Sequence, residues 1–143
     1  MKTIEHKGKN LSFIISLPDN YDKNHNYGLI FLMHGFGANM QDLVQVSNAI
    51  NNNNFIFIFP NAPTELPMNI GRKSYQWAPI EDPLKLQDSI NLMDATIEEV
   101  LKMFSINKNR IFIGGFSQGG MMAIHGYLIK NSLFKGVIIL SSR

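Results

Sequence analysis

Short, continuous apolar runs separated by helical repeats constrain the fold of this chain more than any other feature. Five runs have the length of strands, and they cover residues 11–17, 29–33, 55–59, 110–113 and 136–140. Apolar runs without alternation are typical of strands that are buried on both faces of a parallel sheet. The runs therefore predict a sheet at the centre of the domain.

The segments between these runs show helical spacing. Residues 39–50 predict a helix with Asn39 as its N-cap, residues 84–104 carry apolar side chains every three or four positions, and residues 121–129 continue as an apolar helix. Residues 64–83 show no periodicity and predict a long irregular loop. Strands that alternate with helices predict an α/β domain with a mostly parallel sheet, whose sites form at the carboxyl ends of the strands.

The composition excludes several classes of protein. Apolar residues make up 45% of the 143 residues and charged residues 17%, which is typical of one globular domain. A net charge of +2, carried by scattered Lys and Arg residues, does not indicate a nucleic-acid surface. The absence of cysteine excludes disulfides, a thiol nucleophile and thiolate metal sites. Without a secretory signal or an apolar run of membrane length, we expect a cytoplasmic protein.

The motif that indicates chemistry is Gly-Phe-Ser-Gln-Gly at residues 115–119, which matches the pattern Gly-x-Ser-x-Gly. It follows a predicted strand directly and precedes a predicted helix. In that context the serine sits on a tight turn with its hydroxyl pushed outward, and the glycines avoid clashes with the neighbouring strand and helix. The motif predicts Ser117 as a nucleophile; the alternative is a glycine-rich turn with an incidental serine.

A second glycine-rich segment, His-Gly-Phe-Gly at residues 34–37, follows the predicted strand of residues 29–33. In serine hydrolases of this kind, one oxyanion donor is the N–H group after the nucleophile, here that of Gln118. The other donor comes from a loop that follows a neighbouring strand, and Phe36 N–H is the candidate. We expect His34 to hold this loop rather than to act as a general base.

These motifs, with Phe-Pro-Asn-Ala-Pro at residues 59–63 and Trp77, appear in an order that resembles the phospholipase/carboxylesterase family, which includes the acyl-protein thioesterases. The resemblance implies an α/β-hydrolase fold and a cofactor-free hydrolase, without a metal, that cleaves carboxylic esters or thioesters through a Ser-Asp-His triad. It implies Ser117 as the nucleophile and Phe36 and Gln118 as the oxyanion donors.

The same resemblance implies that residues 64–83 line an acyl pocket. Met68, Tyr75 and Trp77 are the candidate apolar contacts, and plain packing of the loop is the alternative. The chain departs from the family after Trp77, where Ala78 and Pro79 replace the usual aromatic residue and aspartate.

The partners of the triad have no counterparts in this sequence. The residues after Ser117 contain no Asp or Glu, and the only histidine among them is His125. Eight residues of helix separate His125 from Ser117 by roughly 12 Å, beyond hydrogen-bond reach. Because the triad order is Ser, then Asp or Glu, then His, residues 1–143 are expected to form a single α/β-hydrolase domain that lacks its last strands and helix.

Three interpretations follow from these observations. The chain is a serine esterase scaffold that depends on residues it does not contain, a non-catalytic remnant or binding module that keeps the acyl pocket, or one half of a split esterase. In each case the strand at residues 136–140 is expected to be an apolar sheet edge. Such an edge predicts self-association, poor solubility, or pairing with a C-terminal partner.

Overall fold

The computed structural model describes residues 1–50, 53–67, 71–79 and 82–141. In these residues a six-stranded sheet carries helices on both faces, and two further short strands form a separate hairpin. The strands are β1 Lys2–Lys7, β2 Ser12–Leu17, β3 Tyr27–Met33, β4 Phe55–Pro60, β5 Thr64–Glu65, β6 Tyr75–Gln76, β7 Ile106–Phe116 and β8 Gly136–Leu140. The helices are α1 Val44–Ile50, α2 Pro83–Met103 and α3 Gln118–Ile129.

The topology of the large sheet confirms the predicted α/β class. Its strand order is β1-β2-β4-β3-β7-β8, in which β4, β3, β7 and β8 are parallel to one another. Strand β2 pairs antiparallel with both of its neighbours, β1 and β4. The central strand β3 lies between β4 and β7, and its last residue, Met33, pairs with Gly115 of β7. The segments that follow β3 and β7 therefore leave the sheet side by side. They lie at the carboxyl ends of the strands, where the sites of parallel sheets form.

Both faces of the central strands are buried, as their continuous apolar runs predict. Every residue of β3 is buried. Leu29 and Phe31 belong to the core that includes α2 and α3, whereas Ile30 and Leu32 belong to the core on the α1 face. Burial of each such side chain contributes about 1.5–3 kcal/mol. The sheet is thus fixed from both sides, and the loops at its carboxyl end are built on a rigid base.

Helix α2 agrees with the spacing of residues 84–104 to within one residue at each end. Asp82 caps its N-terminus, because its carboxylate accepts hydrogen bonds from the N–H groups of Leu84 and Lys85. Pro83 occupies the first turn, where it removes no hydrogen bond. The buried face of the helix contains Ser89, Ile90, Met93, Thr96, Ile97 and Val100.

The helix predicted over residues 39–50 is shorter in the structure, which corrects the assignment of Asn39 as its N-cap. Regular helix begins at Val44, and turns precede it. The Asn39 side chain accepts from Gln41 N–H, two residues along, which is the pattern of an Asx turn. Met40 N–H donates to the Asn61 side chain instead of entering a helix. Asp42 N–H donates to Asn39 O, and Val44 N–H donates to Gln41 O. Turns with bonds over three residues thus replace the four-residue spacing that a longer α-helix needs.

Three strands, β1, β5 and β6, lack a signal in the sequence. Strand β1 is mostly exposed and polar, and it forms through its antiparallel pairing with β2. Strands β5 and β6 pair with each other inside the stretch of residues 64–83, which is therefore not wholly irregular. Tertiary pairing decides the structure of such segments, because their own side chains carry little periodic information.

Strands β1 and β8 are the two edges of the sheet in the part of the chain that the structure describes. Strand β1 carries Lys2, Glu5 and Lys7, and such charges discourage edge-to-edge pairing. Strand β8 reads Gly-Val-Ile-Ile-Leu, with 41% of Ile139 exposed. No described helix has the length and apolar character needed to span a membrane.

Candidate active site

Ser117 lies between β7 and α3 in a backbone conformation that residues with a side chain rarely adopt, with φ 53° and ψ −116°. Its N–H donates to Leu140 O of β8 at 3.0 Å, and its carbonyl accepts from Gly120 N–H and Met121 N–H. A conformation of this kind costs about 1–3 kcal/mol, and it persists only where the surroundings enforce it. The turn therefore presents the Ser117 side chain away from the sheet and at the start of a helix.

Two glycines make this turn possible, as the sequence predicts. A Cβ atom on Gly119 would lie 2.0 Å from the carbonyl oxygen of Met33, at the end of β3. A Cβ atom on Gly115 would lie 2.3 Å from the carbonyl carbon of Gly119, in the first turn of α3. Both contacts are with backbone atoms, which cannot move aside. We call residues 115–119 the elbow.

The segment after β3, residues 34–39, lies against the elbow, and we call it the oxyanion loop. A Cβ atom on Gly35 would lie 3.2 Å from Phe116 O and 3.4 Å from the Ser117 Cβ atom. Among the described residues, the N–H groups of Phe36 and Gln118 donate to no protein acceptor. Both residues line the same cavity as Ser117. Two N–H groups beside a serine hydroxyl form the kind of arrangement that stabilises an oxyanion.

His34 is 1% exposed and forms part of the support of the oxyanion loop. Its Nε2 atom accepts from Ala62 N–H at 3.0 Å, so the proton of the neutral ring is on Nδ1, which lies 2.8 Å from Gly35 O. Burial lowers the pKa of His34, because desolvation disfavours the imidazolium; the Gly35 carbonyl and the Asp42 carboxylate act in the opposite direction. The geometry agrees with the expected role of His34 in holding the loop.

Trp77 is fully buried beneath the site, and it forms hydrogen bonds with three other residues. Its indole Nε1–H donates to His34 O at 2.8 Å, and its ring centroid lies 5.5 Å from that of His34. Its backbone N–H donates to the Gln118 side-chain oxygen at 2.8 Å, and its carbonyl accepts from the Ser89 hydroxyl. The side-chain nitrogen of Gln118 donates in turn to Ala78 O at 2.8 Å. Sequence reasoning assigned only the backbone of Gln118 and missed these side-chain bonds.

A cavity of about 520 Å³ opens beside Ser117. Its size suits a small-molecule ligand, and most of its walls are apolar. Asp82 also reaches the cavity, but its carboxylate is engaged as the cap of α2. The lining residues are Phe36, Ala78, Pro79, Asp82, Pro83, Leu86, Ser117, Gln118, Met121 and Ser141.

The predicted pocket contacts differ from this lining. Met68 lies outside the described residues. Trp77 does not line the cavity, because its indole N–H finds its acceptor in His34 O below the site, and Ala78 takes the place on the wall. Tyr75 does not line it either: its backbone pairs with Ala38 of the oxyanion loop, and the residue borders a smaller cleft. Both residues support the wall from behind.

No histidine lines the cavity within the described part of the chain. His125 is half-buried in the second turn of α3, as expected from its distance along the helix from Ser117. The described residues contain no group of three or more His, Asp or Glu side chains that could hold a metal ion. The site as described thus offers a hydroxyl, two N–H donors and an apolar cavity.

Comparisons with known proteins identify the family of the chain. The sequence profile of the phospholipase/carboxylesterase family matches residues 19–143. The acyl-protein thioesterase 1 homolog 1 of Dictyostelium discoideum is 32% identical over 115 residues, which cover 72% of this chain and 50% of the relative. Feruloyl esterase D of Neurospora crassa is 26% identical over 140 residues, covering 94% of this chain and 46% of the relative. The chain thus spans about half the length of these curated relatives.

Solved structures show the same fold. A carboxylesterase from Mesorhizobium loti superposes with a TM-score of 0.78 at 14% identity, over 98% of this chain and 65% of that one. An S-formylglutathione hydrolase from Staphylococcus aureus superposes with a TM-score of 0.70 at 16% identity, over 99% of this chain and 57% of that one. The fold is that of α/β-hydrolase esterases, and the chain belongs to the phospholipase/carboxylesterase family.

Proposed function

We propose that this chain carries the nucleophile and the oxyanion hole of a serine carboxylesterase or thioesterase. The observation that carries the proposal is the elbow: Ser117 has φ 53° between a strand and a helix, and it faces the oxyanion loop across a few ångströms. A strained serine at this point of an α/β sheet is typical of hydrolase nucleophiles. The names of the relatives, which include acyl-protein thioesterase and feruloyl esterase, support thioesters and esters as substrate classes.

In the proposed reaction, the Ser117 oxygen attacks the carbonyl carbon of the substrate. The carbonyl oxygen becomes an oxyanion and accepts hydrogen bonds from Phe36 N–H and Gln118 N–H. The N-terminus of α3, which begins at Gln118, adds a favourable field for this negative charge. When the tetrahedral intermediate collapses, the bond to the leaving group breaks, the base that took the Ser117 proton gives it to the departing alcohol or thiol, and the acyl group stays on Ser117. Water then attacks the acyl-enzyme and releases the acid.

The acyl part of the substrate is proposed to occupy the cavity beside Ser117. Phe36, Pro79, Leu86 and Met121 supply apolar surface there. Transfer of an acyl chain from water to such surface contributes about 0.8 kcal/mol per buried methylene group. The cavity thereby supplies binding energy remote from the reacting carbonyl group, which an esterase uses to orient its substrate.

A base must remove the Ser117 proton before the oxygen can attack. The source of that base distinguishes one part of an active esterase from an inactive remnant or binding module. His34 cannot accept the proton, because its Nε2 lone pair is engaged by Ala62 N–H. We propose that a C-terminal polypeptide supplies the Asp and the His, so that the chain acts as one part of an esterase. The alternative is an inactive remnant or binding module that keeps the cavity, and it is favoured by the lack of a histidine in the described lining.

Hydrolysis of p-nitrophenyl butyrate by the isolated chain tests these proposals. Without a base, the oxyanion hole and substrate binding leave a rate on the order of 10³ to 10⁴ over water, far below that of an esterase. Ser117→Ala is expected to keep this background rate and to abolish the additional rate that a second polypeptide brings, whereas alanine at the exposed Ser105 is the matched control and leaves both rates unchanged. Addition of the C-terminal half of the Dictyostelium relative is expected to raise the rate. Full esterase turnover by the chain alone contradicts the need for a second polypeptide.

Strand β8 is the proposed place where such a polypeptide pairs, and self-association through the same edge is the alternative. Ile139 in β8 and Ile4 in β1 have similar exposures, 41% and 38%, on opposite edges of the sheet. We expect Ile139→Lys to weaken pairing and Ile4→Lys to leave it unchanged, as measured by sedimentation with and without the second polypeptide. Equal effects of the two substitutions would contradict a role for the β8 edge. The cytoplasmic location stays a prediction.

A further inference from the structure

The Gln118 side chain joins three parts of the site. Its oxygen accepts from Trp77 N–H, and its nitrogen donates to Ala78 O, each at 2.8 Å. The carboxamide thus pairs with two consecutive residues of the 75–79 segment, as a neighbouring strand would. The same residue belongs to the elbow, and it lines the cavity together with Ala78.

The segment that Gln118 holds is tied to the oxyanion loop as well. Gly37 N–H donates to Tyr75 O, and Tyr75 N–H donates to Ala38 O, each at 2.9 Å. The Trp77 indole reaches His34 O at 2.8 Å. Residues 75–78 therefore lie between the two segments that carry the proposed oxyanion donors, and they are hydrogen-bonded to both. Only the Gln118 side chain makes the bonds on the elbow side among the described residues.

We propose that the Gln118 carboxamide is a positioning group that fixes residues 75–78 against the elbow and so sets the acyl wall at Ala78. This role rests on the proposed function and adds to it. The backbone N–H of Gln118 donates to the oxyanion, and its side chain fixes the wall of the cavity. The reason for glutamine is chemical. One end of the side chain must accept a hydrogen bond and the other must donate one, and a neutral carboxamide does both without a charge.

The substitution Gln118→Glu tests the donor end while keeping the shape. The introduced carboxylate still accepts from Trp77 N–H, but it faces Ala78 O without a proton to donate, so the two oxygens repel each other. Protonation at low pH restores a donor, and the variant then regains the wild-type arrangement. Gln118→Met has a similar length and no polar end, so its defect does not change with pH. Such pH-dependent rescue distinguishes a specific hydrogen bond from a general loss of packing.

Trp77 is the only tryptophan in the chain, so its fluorescence reports on this segment directly. It is fully buried, and wild-type protein is expected to resist quenching by acrylamide. Loss of both hydrogen bonds in Gln118→Met raises the population of the opened segment about thirtyfold, since two bonds of about 1 kcal/mol each multiply the opening equilibrium by that factor. Gln118→Glu shows a similar rise at neutral pH and a return to wild-type quenching as the pH falls.

The controls isolate the introduced carboxylate. Gln87→Glu makes the same chemical change on the exposed face of α2 and leaves the quenching unchanged at every pH. His34 and Asp82 are the titratable groups that face this region from the oxyanion loop and the start of α2. Both are present in the wild type, whose pH profile is subtracted. Equal quenching in Gln118→Met and wild type, or a pH-independent defect in Gln118→Glu, would overturn the proposal.

Binding of octanamide, a neutral analogue of an eight-carbon ester, separates this inference from the proposed function. If Gln118 sets the wall, octanamide binds wild-type protein and binds Gln118→Met roughly fivefold more weakly, since losing about 1 kcal/mol of contact at the Ala78 wall lowers the affinity by that factor. Equal octanamide affinities for the wild type and Gln118→Met would overturn the role of Gln118 at the acyl wall. Failure of octanamide to bind the wild type would count against the acyl cavity of the proposed esterase and against that wall role. The quenching measurements use no substrate and still decide whether Gln118 holds the segment.

Discussion

The elbow and the oxyanion loop leave neighbouring strands at the same end of the sheet, yet they are held in different ways. The elbow is fixed by close approach of backbone atoms, such as Gly119 against Met33 O. The oxyanion loop is fixed by hydrogen bonds from distant residues, such as Ala62 N–H to His34 and the Trp77 indole to His34 O. Backbone atoms in direct contact at a glycine leave no room for an added side chain, whereas hydrogen bonds can be removed one at a time. We therefore expect substitutions in the elbow and in the oxyanion loop to lower the stability of the protein by different amounts.

The largest expected loss of stability comes from adding a methyl group to the elbow, and the same change in the oxyanion loop is the comparison. Gly119→Ala places a Cβ atom 2.0 Å from Met33 O, and we expect a loss of more than about 4 kcal/mol or failure to fold. Gly37→Ala in the oxyanion loop meets no atom within 4 Å, and its positive φ of 81° costs only about 1 kcal/mol. Urea unfolding measures both values. Similar losses in the two variants would contradict the contrast between the segments.

The next effect concerns the pH dependence of the oxyanion loop. Burial lowers the pKa of His34 below its ordinary value of 6.5, so the unfolded chain binds a proton more readily than the folded one. The stability that this neutral histidine contributes is therefore present above pH 6.5 and is lost as the pH falls through the lowered folded-state pKa.

His34→Gln tests this dependence, because glutamine can still accept from Ala62 N–H but does not titrate. We expect the variant to lose about 1 kcal/mol at neutral pH through its weaker packing on Trp77, and to show a flatter profile of the melting temperature below pH 6.5. Calorimetry at a series of pH values makes the comparison. Parallel profiles of wild type and variant would show that His34 is not the group responsible.

The smallest effect is a gain of stability at the elbow. Ser117→Gly relieves the strained backbone conformation and is expected to stabilise the fold by about 1 kcal/mol, whereas Ser117→Ala keeps the Cβ atom and the strain. Both variants lack the hydroxyl, so the difference between them isolates the backbone term. A Ser117→Gly variant no more stable than Ser117→Ala, measured by urea unfolding, would argue against stored strain at the nucleophile.

The same contrast explains what could be predicted from the sequence. The elbow is encoded locally by glycines at fixed spacing between a strand and a helix, so its position and the need for Gly115 and Gly119 could be derived from residues 110–129. The apolar runs of β3 and β4 likewise predicted a buried, mostly parallel sheet, which the structure confirms. These features depend on neighbours in the chain, and pattern reasoning reaches them.

The cavity wall depends on distant partners and could not be predicted in the same way. Trp77 was expected to contact the acyl group, but its acceptor in His34 is 43 positions away and draws it below the site. The side-chain bonds of Gln118 to the 75–79 segment span 40 and 41 positions. Strand β1 was missed for a related reason, since its polar residues gain order only by pairing with β2.

Reaction with an alkyl fluorophosphonate across pH tests the central claim most directly, namely that Ser117 is placed as a nucleophile without a base in the described site. Peptide mapping by mass spectrometry is expected to find one adduct, on Ser117, and none in Ser117→Ala. Where no side chain accepts the Ser117 proton, hydroxide takes it, and the labelling rate rises steadily with pH through neutrality. A plateau above about pH 7, which a catalytic histidine produces, or an adduct on another residue would contradict this account.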